Sequence, residues 1–214
     1  GRWGGLGAIL IYDGDFQGLL CVVARCLETE EDPEDIVSVR AGGQGSLFAE
    51  EVHVETDPDR ADALCALVRR RISGRALRRC MLAFLSEEKG REGHILRYFR
   101  LGFTVGRDIE ADLREESVRA VHGMARRTAF EAHRMRGFLR FRHLTDGLYY
   151  APMEAGCDVL RLVAPHFLGR MEGQDWMIHD LARERAALCR GGELAFVDAP
   201  GFEPDISVRE RRAQ

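Results

Sequence analysis

Arg126-Arg127-Thr128-Ala129-Phe130-Glu131-Ala132-His133-Arg134-Met135-Arg136-Gly137-Phe138-Leu139-Arg140-Phe141-Arg142 is the stretch that decides how this chain is read. It holds six arginines, one histidine and three phenylalanines against a single acid, Glu131. The full chain has a formal net charge of -4, so this segment opposes the global sign. An arginine-rich element on an acidic protein is a local electrostatic device, and nucleic-acid phosphate is its commonest polyanionic partner. The segment also marks a change of structure. A helical pattern gives way at Gly137 to the extended-looking run 138–142, which reads as the first strand of a sheet.

Upstream of that boundary the chain is mainly helical. An apolar run over 8–12 followed by Asp13-Gly14-Asp15 predicts a strand, a turn and a helix capped by Asp13 or Asp15. Phe16, Leu19, Leu20, Val23 and Leu27 then recur at helical spacing. Residues 36–40 and 47–54 look extended around Gly42-Gly43-Gln44-Gly45. That loop lacks the Lys-Ser/Thr ending of a phosphate-binding loop and reads as a flexible connection. Asp57-Pro58 gives an N-cap and a first helical residue. Helices are predicted over 58–71, 74–87, 91–103 and 109–136, the last closing at Gly137.

Downstream the pattern turns to short strands. Residues 138–143 and 148–151 predict a hairpin around Thr145-Asp146-Gly147. A helix follows over 158–168. Residues 176–179 and 185–189 predict a second hairpin, with a further strand over 193–197. The fold class is therefore α+β: an N-terminal βα segment, a helical middle and a small C-terminal antiparallel sheet with one packed helix. The expected organisation is an α/β segment over 1–56, a helical region over 57–137, an antiparallel α+β region over 138–200 and a polar tail over 201–214, together one compact unit.

Composition narrows the class. With 45% hydrophobic and 31% charged residues, the chain belongs with soluble globular proteins rather than disordered ones. The longest apolar runs, 8–12 and 19–24, are too short to span a bilayer, so no membrane association is expected and the cytoplasm is the expected location. Cys21, Cys26, Cys65, Cys80, Cys157 and Cys189 include no C-x-x-C pair and read as buried reduced thiols. Neither a metal site nor a cofactor is expected. Of the 31 basic residues only Lys89 is lysine, so arginine abundance alone is weak evidence for nucleic acid. The position of the arginines carries more.

On a strand, side chains alternate between faces, so Arg140 and Arg142 would project together and grip successive phosphates. Arg134 and Arg136 would extend that basic surface along the helix. Tyr149, Tyr150 and Trp176 are candidates to stack on unpaired bases, although aromatics on a short sheet are more often core. A second cluster, with Arg71, Arg75 and Arg78 on one helical face, reads as solvated and ion-paired. Among the histidines, His133, His166 and His179 lie near acids and aromatics. With Asp180 they form the candidate acid–base set, His179-Asp180 pairing an imidazole with a carboxylate.

Six phrases then point to a family. They are Tyr12-Asp13-Gly14-Asp15-Phe16 with Gly18-Leu19-Leu20, Ala83-Phe84-Leu85-Ser86-Glu87, Glu131-Ala132-His133-Arg134 with Gly137-Phe138-Leu139-Arg140-Phe141, Asp146-Gly147-Leu148-Tyr149-Tyr150-Ala151, Pro165-His166-Phe167, and Trp176-Met177-Ile178-His179-Asp180. In this order the chain resembles the bacterial DNA metabolism protein family of unknown function. That family occurs beside a radical-SAM DNA modification or repair protein, and a related domain is fused to uracil-DNA glycosylase-like domains. The resemblance implies a role in DNA repair or modification. The chain lacks the C-x-x-x-C-x-x-C motif of a radical-SAM enzyme, so the resemblance implies a partner of that enzyme rather than the radical generator.

Three readings follow. The first is a DNA-binding accessory protein that presents DNA, with a base extruded, to a radical-SAM partner. The second is an enzyme acting on a damaged nucleobase or nucleic-acid end through His133, His166, His179 and Asp180, and it requires those side chains to converge. The third is a protein-interaction adaptor whose arginines meet an acidic partner.

Overall fold

In a computed structural model, residues 7–41, 50–145 and 147–205 are described. The Gly42-Gly43-Gln44-Gly45 loop and Asp146 lie outside them. The chain divides into two compact units, Gly1–Arg126 and Arg127–Gln214. The division falls inside a helix.

The first unit opens on β1 (Ile9–Tyr12), α1 (Phe16–Thr29), β2 (Asp35–Ser38), a short 3-10 turn (Val39–Ala41) and β3 (Glu51–His53). The strands form a parallel sheet in the order β2-β1-β3. Central β1 buries Leu10 and Tyr12, and α1 is buried on all sides from Gly18 to Ala24. Asp15 stands at the α1 N-cap, but the bonded carboxylate is Asp13, which accepts from Asp15 N–H at 2.9 Å and Thr56 Oγ at 2.6 Å. That carboxylate needs a glycine at position 18, because a Cβ there would lie 2.2 Å from Asp13 Oδ1.

Helices α2 (Pro58–Arg71), α3 (Gly74–Phe84) and α4 (Arg91–Val105) follow, then a 3-10 segment (Gly106–Ala111). The Asp57 carboxylate accepts from Asp59 and Arg60 N–H with Pro58 behind it, so α2 starts where its local signals place it. The predicted helix over 109–136 is shorter at its start. Gly106–Ala111 is a separate 3-10 piece, and α5 runs Glu116–Phe138.

The second unit carries β4 (Arg142–His143), β5 (Tyr149–Met153), α6 (Leu160–Arg170), β6 (Trp176–Asp180), β7 (Arg185–Arg190) and β8 (Glu193–Asp198), with strand order β4-β5-β6-β7-β8. All neighbouring pairs are antiparallel except β5–β6, which is parallel because α6 carries the chain back across the sheet. One face buries Trp176, Ile178, Ala151, Met153, Ala187 and Cys189 with α6 and the last turns of α5. The opposite face buries Tyr150, Met177 and Ala186 with Leu144, Leu148 and Ala199. Among the described residues no helix is long and apolar enough to cross a membrane. Of the six cysteines, Cys65 is half-buried and the others are buried, all as free thiols.

Candidate nucleic-acid interface

The final turns of α5 separate cleanly by helical period. Thr128, Ala132, Met135 and Leu139 are buried, at intervals of four, three and four residues. The outward positions are Arg127, Ala129, Phe130, His133, Arg134, Gly137 and Phe138. Phe130 and Phe138 are 65% and 67% exposed, which is unusual for large aromatics and leaves both rings available. Eight residues of helix place them about 12 Å apart, with Arg134 midway between them in sequence.

The one acid of this segment is taken out of the surface. Glu131 is folded back, and its two oxygens accept from Gly156 N–H and Cys157 N–H at 2.9 Å each. Burial would raise its pKa, but the Cys157 thiol, these two N–H groups and Arg134 together hold it below the ordinary value. Arg134 lies 3.6 Å from Glu131 with half its side chain in solvent. The outward face between Arg127 and Phe138 therefore carries arginine, histidine and phenylalanine and no carboxylate.

Beyond α5 lies a recess of about 450 Å³, lined by Arg136, Arg140, Arg170, Phe141, Phe167 and Met171 with the backbone around Gly137. Arg136 donates from Nη2 to Leu162 O at 2.8 Å, and its Nε has no hydrogen-bond partner among the described residues. Arg140 donates from Nη1 to Gly137 O and Leu139 O, satisfying carbonyls at the end of α5. The Phe141 ring packs edge-on against Phe167 and Trp176, at centroid distances of 5.2 and 6.2 Å. No acid lines this recess among the described residues.

The expected strand over 138–143 is corrected here. Leu139 N–H bonds to Met135 O, so the helical pattern persists past Gly137, and only Arg142 and His143 pair as a strand. Arg140 and Arg142 consequently do not share a strand face. Arg142 sits in register with Tyr150 and is exposed. Tyr149 is half-buried against the His143 ring. Tyr150 and Trp176 are buried, with 4% and 0% exposure, so neither offers a ring to a base in this structure.

The acid–base set does not converge. His133 and His166 are exposed, on α5 and α6 respectively. His179 is buried on the sheet face of Tyr150, whose hydroxyl lies 3.1 Å from its Nδ1. Burial lowers its pKa, against the opposing pull of the Ala199 backbone and the Asp180 charge. Asp180 is wholly buried and, one residue further along β6, belongs to the other face, where Arg183 meets it at 3.1 Å. The pair that looked adjacent in sequence is divided by the sheet. Among the described residues, no three His, Cys, Asp or Glu side chains gather as a metal site would require.

The second arginine cluster does not share one helical face, because Arg71 closes α2 while Arg75 and Arg78 lie on α3, beyond the Ser73 cap. Arg75 and Arg79 both meet Glu110, and Arg79 Nη1 lies 2.7 Å from His122 Nε2. On the outward face of α5, Arg134 is flanked in sequence by exposed Phe130 and Phe138, and Arg136, Arg140 and Arg170 line the adjoining recess. Charge patterning pointed to Arg134, Arg136 and Arg140. Phe130, Phe138 and Arg170 were missed. Phe130 and Phe138 were legible from the helical period, because Ala132, Met135 and Leu139 already fill the inward positions. Arg170 had no local signal.

No curated protein matches the chain. A match to a domain of unknown function, DUF4130, spans residues 89–213 and takes in α5, the recess and the whole C-terminal sheet. Because that match covers more than half of its length, the chain belongs to the DUF4130 family.

Proposed function

We propose that this protein binds DNA as an accessory factor in repair or modification and presents it, with bases unpaired, to a radical-SAM partner. The observation that carries the DNA-binding half is the acid-free outward face of α5, with Phe130 and Phe138 exposed on either side of His133 and Arg134. Arginines and aromatics interleaved on one surface are what a single strand needs. Phosphates meet guanidinium groups, and bases stack on the rings. A duplex hides its base faces, so the exposed phenylalanines favour unpaired DNA. The resemblance of the sequence to the DNA metabolism family supports the radical-SAM partner.

Fluorescence anisotropy of the purified protein with single-stranded and duplex DNA, at low and moderate salt, tests the reading. Single strands bind more tightly, and binding weakens as salt rises. Replacing Phe130 and Phe138 together by alanine removes two stacking groups worth about 1–3 kcal/mol each, so affinity falls at least tenfold. Failure to bind either DNA would refute the proposal and favour a protein adaptor. DNA-dependent co-elution with a radical-SAM protein tests the partner half.

A further inference from the structure

We infer that the recess formed by Arg136, Arg140 and Arg170 with Phe141 and Met171 captures a terminal phosphomononucleotide, the phosphorylated end of a strand rather than its internal phosphates. The inference rests on the DNA-binding reading and adds which part of DNA is held. It begins from charge. Three arginines line the recess, and no acidic residue does among the described residues. Two helices end there, since Gly137 and Arg170 lie in the last turns of α5 and α6. Each helix C-terminus contributes roughly half a negative charge, so about two positive charges remain uncompensated.

That surplus selects among phosphates. An internal phosphodiester carries one negative charge, whereas a phosphomonoester carries about 1.5 to 2 at neutral pH. The monoester also offers three acceptor oxygens to planar donor forks. Capping α5 uses only Nη1 of Arg140, and the Arg136 Nε remains unpartnered. The walls are equally specific in kind. Phe141 and Met171, half-buried with the buried Phe167 ring behind them, give an apolar side suited to a sugar and base, which inorganic phosphate would leave empty. A volume of about 450 Å³ falls within the range of small-molecule sites and suits one nucleotide rather than a length of strand.

The experiment compares oligothymidylates of one length and sequence that end in a 5′-phosphate, a 3′-phosphate or hydroxyls only, with dTMP, thymidine and inorganic phosphate as separate ligands. Wild-type protein is set against Arg170→Glu, an exposed position at which the fold is retained, and against Arg136→Lys. Thermal melting verifies folding of both. One phosphorylated end binds at least about tenfold more tightly than the hydroxyl end, and Arg170→Glu abolishes the difference. Binding of dTMP exceeds that of thymidine and of inorganic phosphate. Equal affinity for all three oligonucleotides overturns the inference while leaving DNA binding in place. Binding of dTMP that is lost in Arg170→Glu, with no oligonucleotide bound, supports the recess as a nucleotide site and removes the DNA reading. Absence of binding by every ligand overturns both.

Discussion

Glu131 links the stability of the second unit to the charge of its surface, and replacing it tests both. Its carboxylate receives N–H groups from Gly156 and Cys157 at 2.9 Å, tying α5 to the segment between β5 and α6. A hydrogen bond to a charged group contributes about 1.5–3 kcal/mol, and the Cys157 bond is the part-buried one. The Gly156 bond faces solvent and adds little. Glu131→Ala therefore costs about 2 kcal/mol. At a urea m-value near 2 kcal/mol/M, the midpoint falls by about 1 M. Trp176, wholly buried in the core of this unit, reports the transition by fluorescence in a Trp3→Phe background. Glu131→Gln retains one acceptor oxygen and is intermediate. Because the folded-state pKa of Glu131 lies below its ordinary value of 4.5, its contribution is complete above that pH. It is lost as pH falls through the lower, folded value, so wild type and Glu131→Gln converge in acid. A midpoint shift under about 0.3 M at neutral pH, or a difference that persists unchanged at about pH 2, would refute the argument.

Other expectations concern particular side chains. His179 is buried with its pKa lowered from 6.5, so the unfolded chain takes up a proton more readily than the folded one. Stability is unaffected above pH 6.5 and declines as pH falls from there toward the folded value. Melting curves from about pH 7.5 to 5.5 should show a smaller decline in His179→Gln, and equal declines would exclude His179 as a source. Trp176→Phe should lower stability by about 1–3 kcal/mol through a cavity but leave DNA affinity unchanged, since the ring is buried; a selective loss of affinity would reinstate it as a stacking group. Gly18→Ala places a Cβ 2.2 Å from Asp13 Oδ1 and should destabilise the first unit by about 1–3 kcal/mol. Unchanged denaturation of that variant would show that the Asp13 carboxylate can move away without cost.

What the sequence made legible was local. The start of α2 depends on Asp57 and Pro58, and both act within a few residues of themselves. The β6–β7 hairpin was equally readable, as two apolar runs around a polar turn. The parallel β5–β6 pair was also within reach, because a helix separating two strands calls for a crossover rather than a hairpin. Nearer turns on either side of that helix draw each strand into a hairpin instead, and they hide the crossover. The end of α5 failed for a different reason. Leu139-Arg140-Phe141-Arg142 alternates as a strand would, yet Leu139 is the next inward position after Met135, packs in the core, and its N–H closes the last turn of α5 on Met135 O. That one decision hid the site. Read as a strand, Phe138 shares a face with Arg140 and Arg142, opposite Leu139 and Phe141. Read as helix, Phe138 completes an outward series with Phe130 and Arg134.

The same helical turn explains why arginine counting found part of the recess and not all of it. Arg136 and Arg140 flank Gly137 in sequence, so their clustering is visible in the chain. Arg170 reaches them only because α6 returns across the sheet between two parallel strands. A single change of topology thus decides whether the basic segment is a linear tract or the wall of a recess. Had β5 and β6 paired as a hairpin, no crossover helix would end beside α5, and Arg136 and Arg140 would face solvent without Arg170, Phe167 and Met171. The chemistry proposed for the recess is therefore a consequence of the parallel step. Circular dichroism cannot distinguish that step from a hairpin, but pairs of introduced thiols can. Tyr149 and Trp176 are register partners across β5–β6, and so are Met153 and Asp180 at the other end. Antiparallel pairing would instead bring Tyr149 opposite Asp180. A disulfide between the two introduced thiols of a Tyr149→Cys/Trp176→Cys variant, and none in Tyr149→Cys/Asp180→Cys, would secure the crossover on which the site depends, and the reverse pattern would dismantle it.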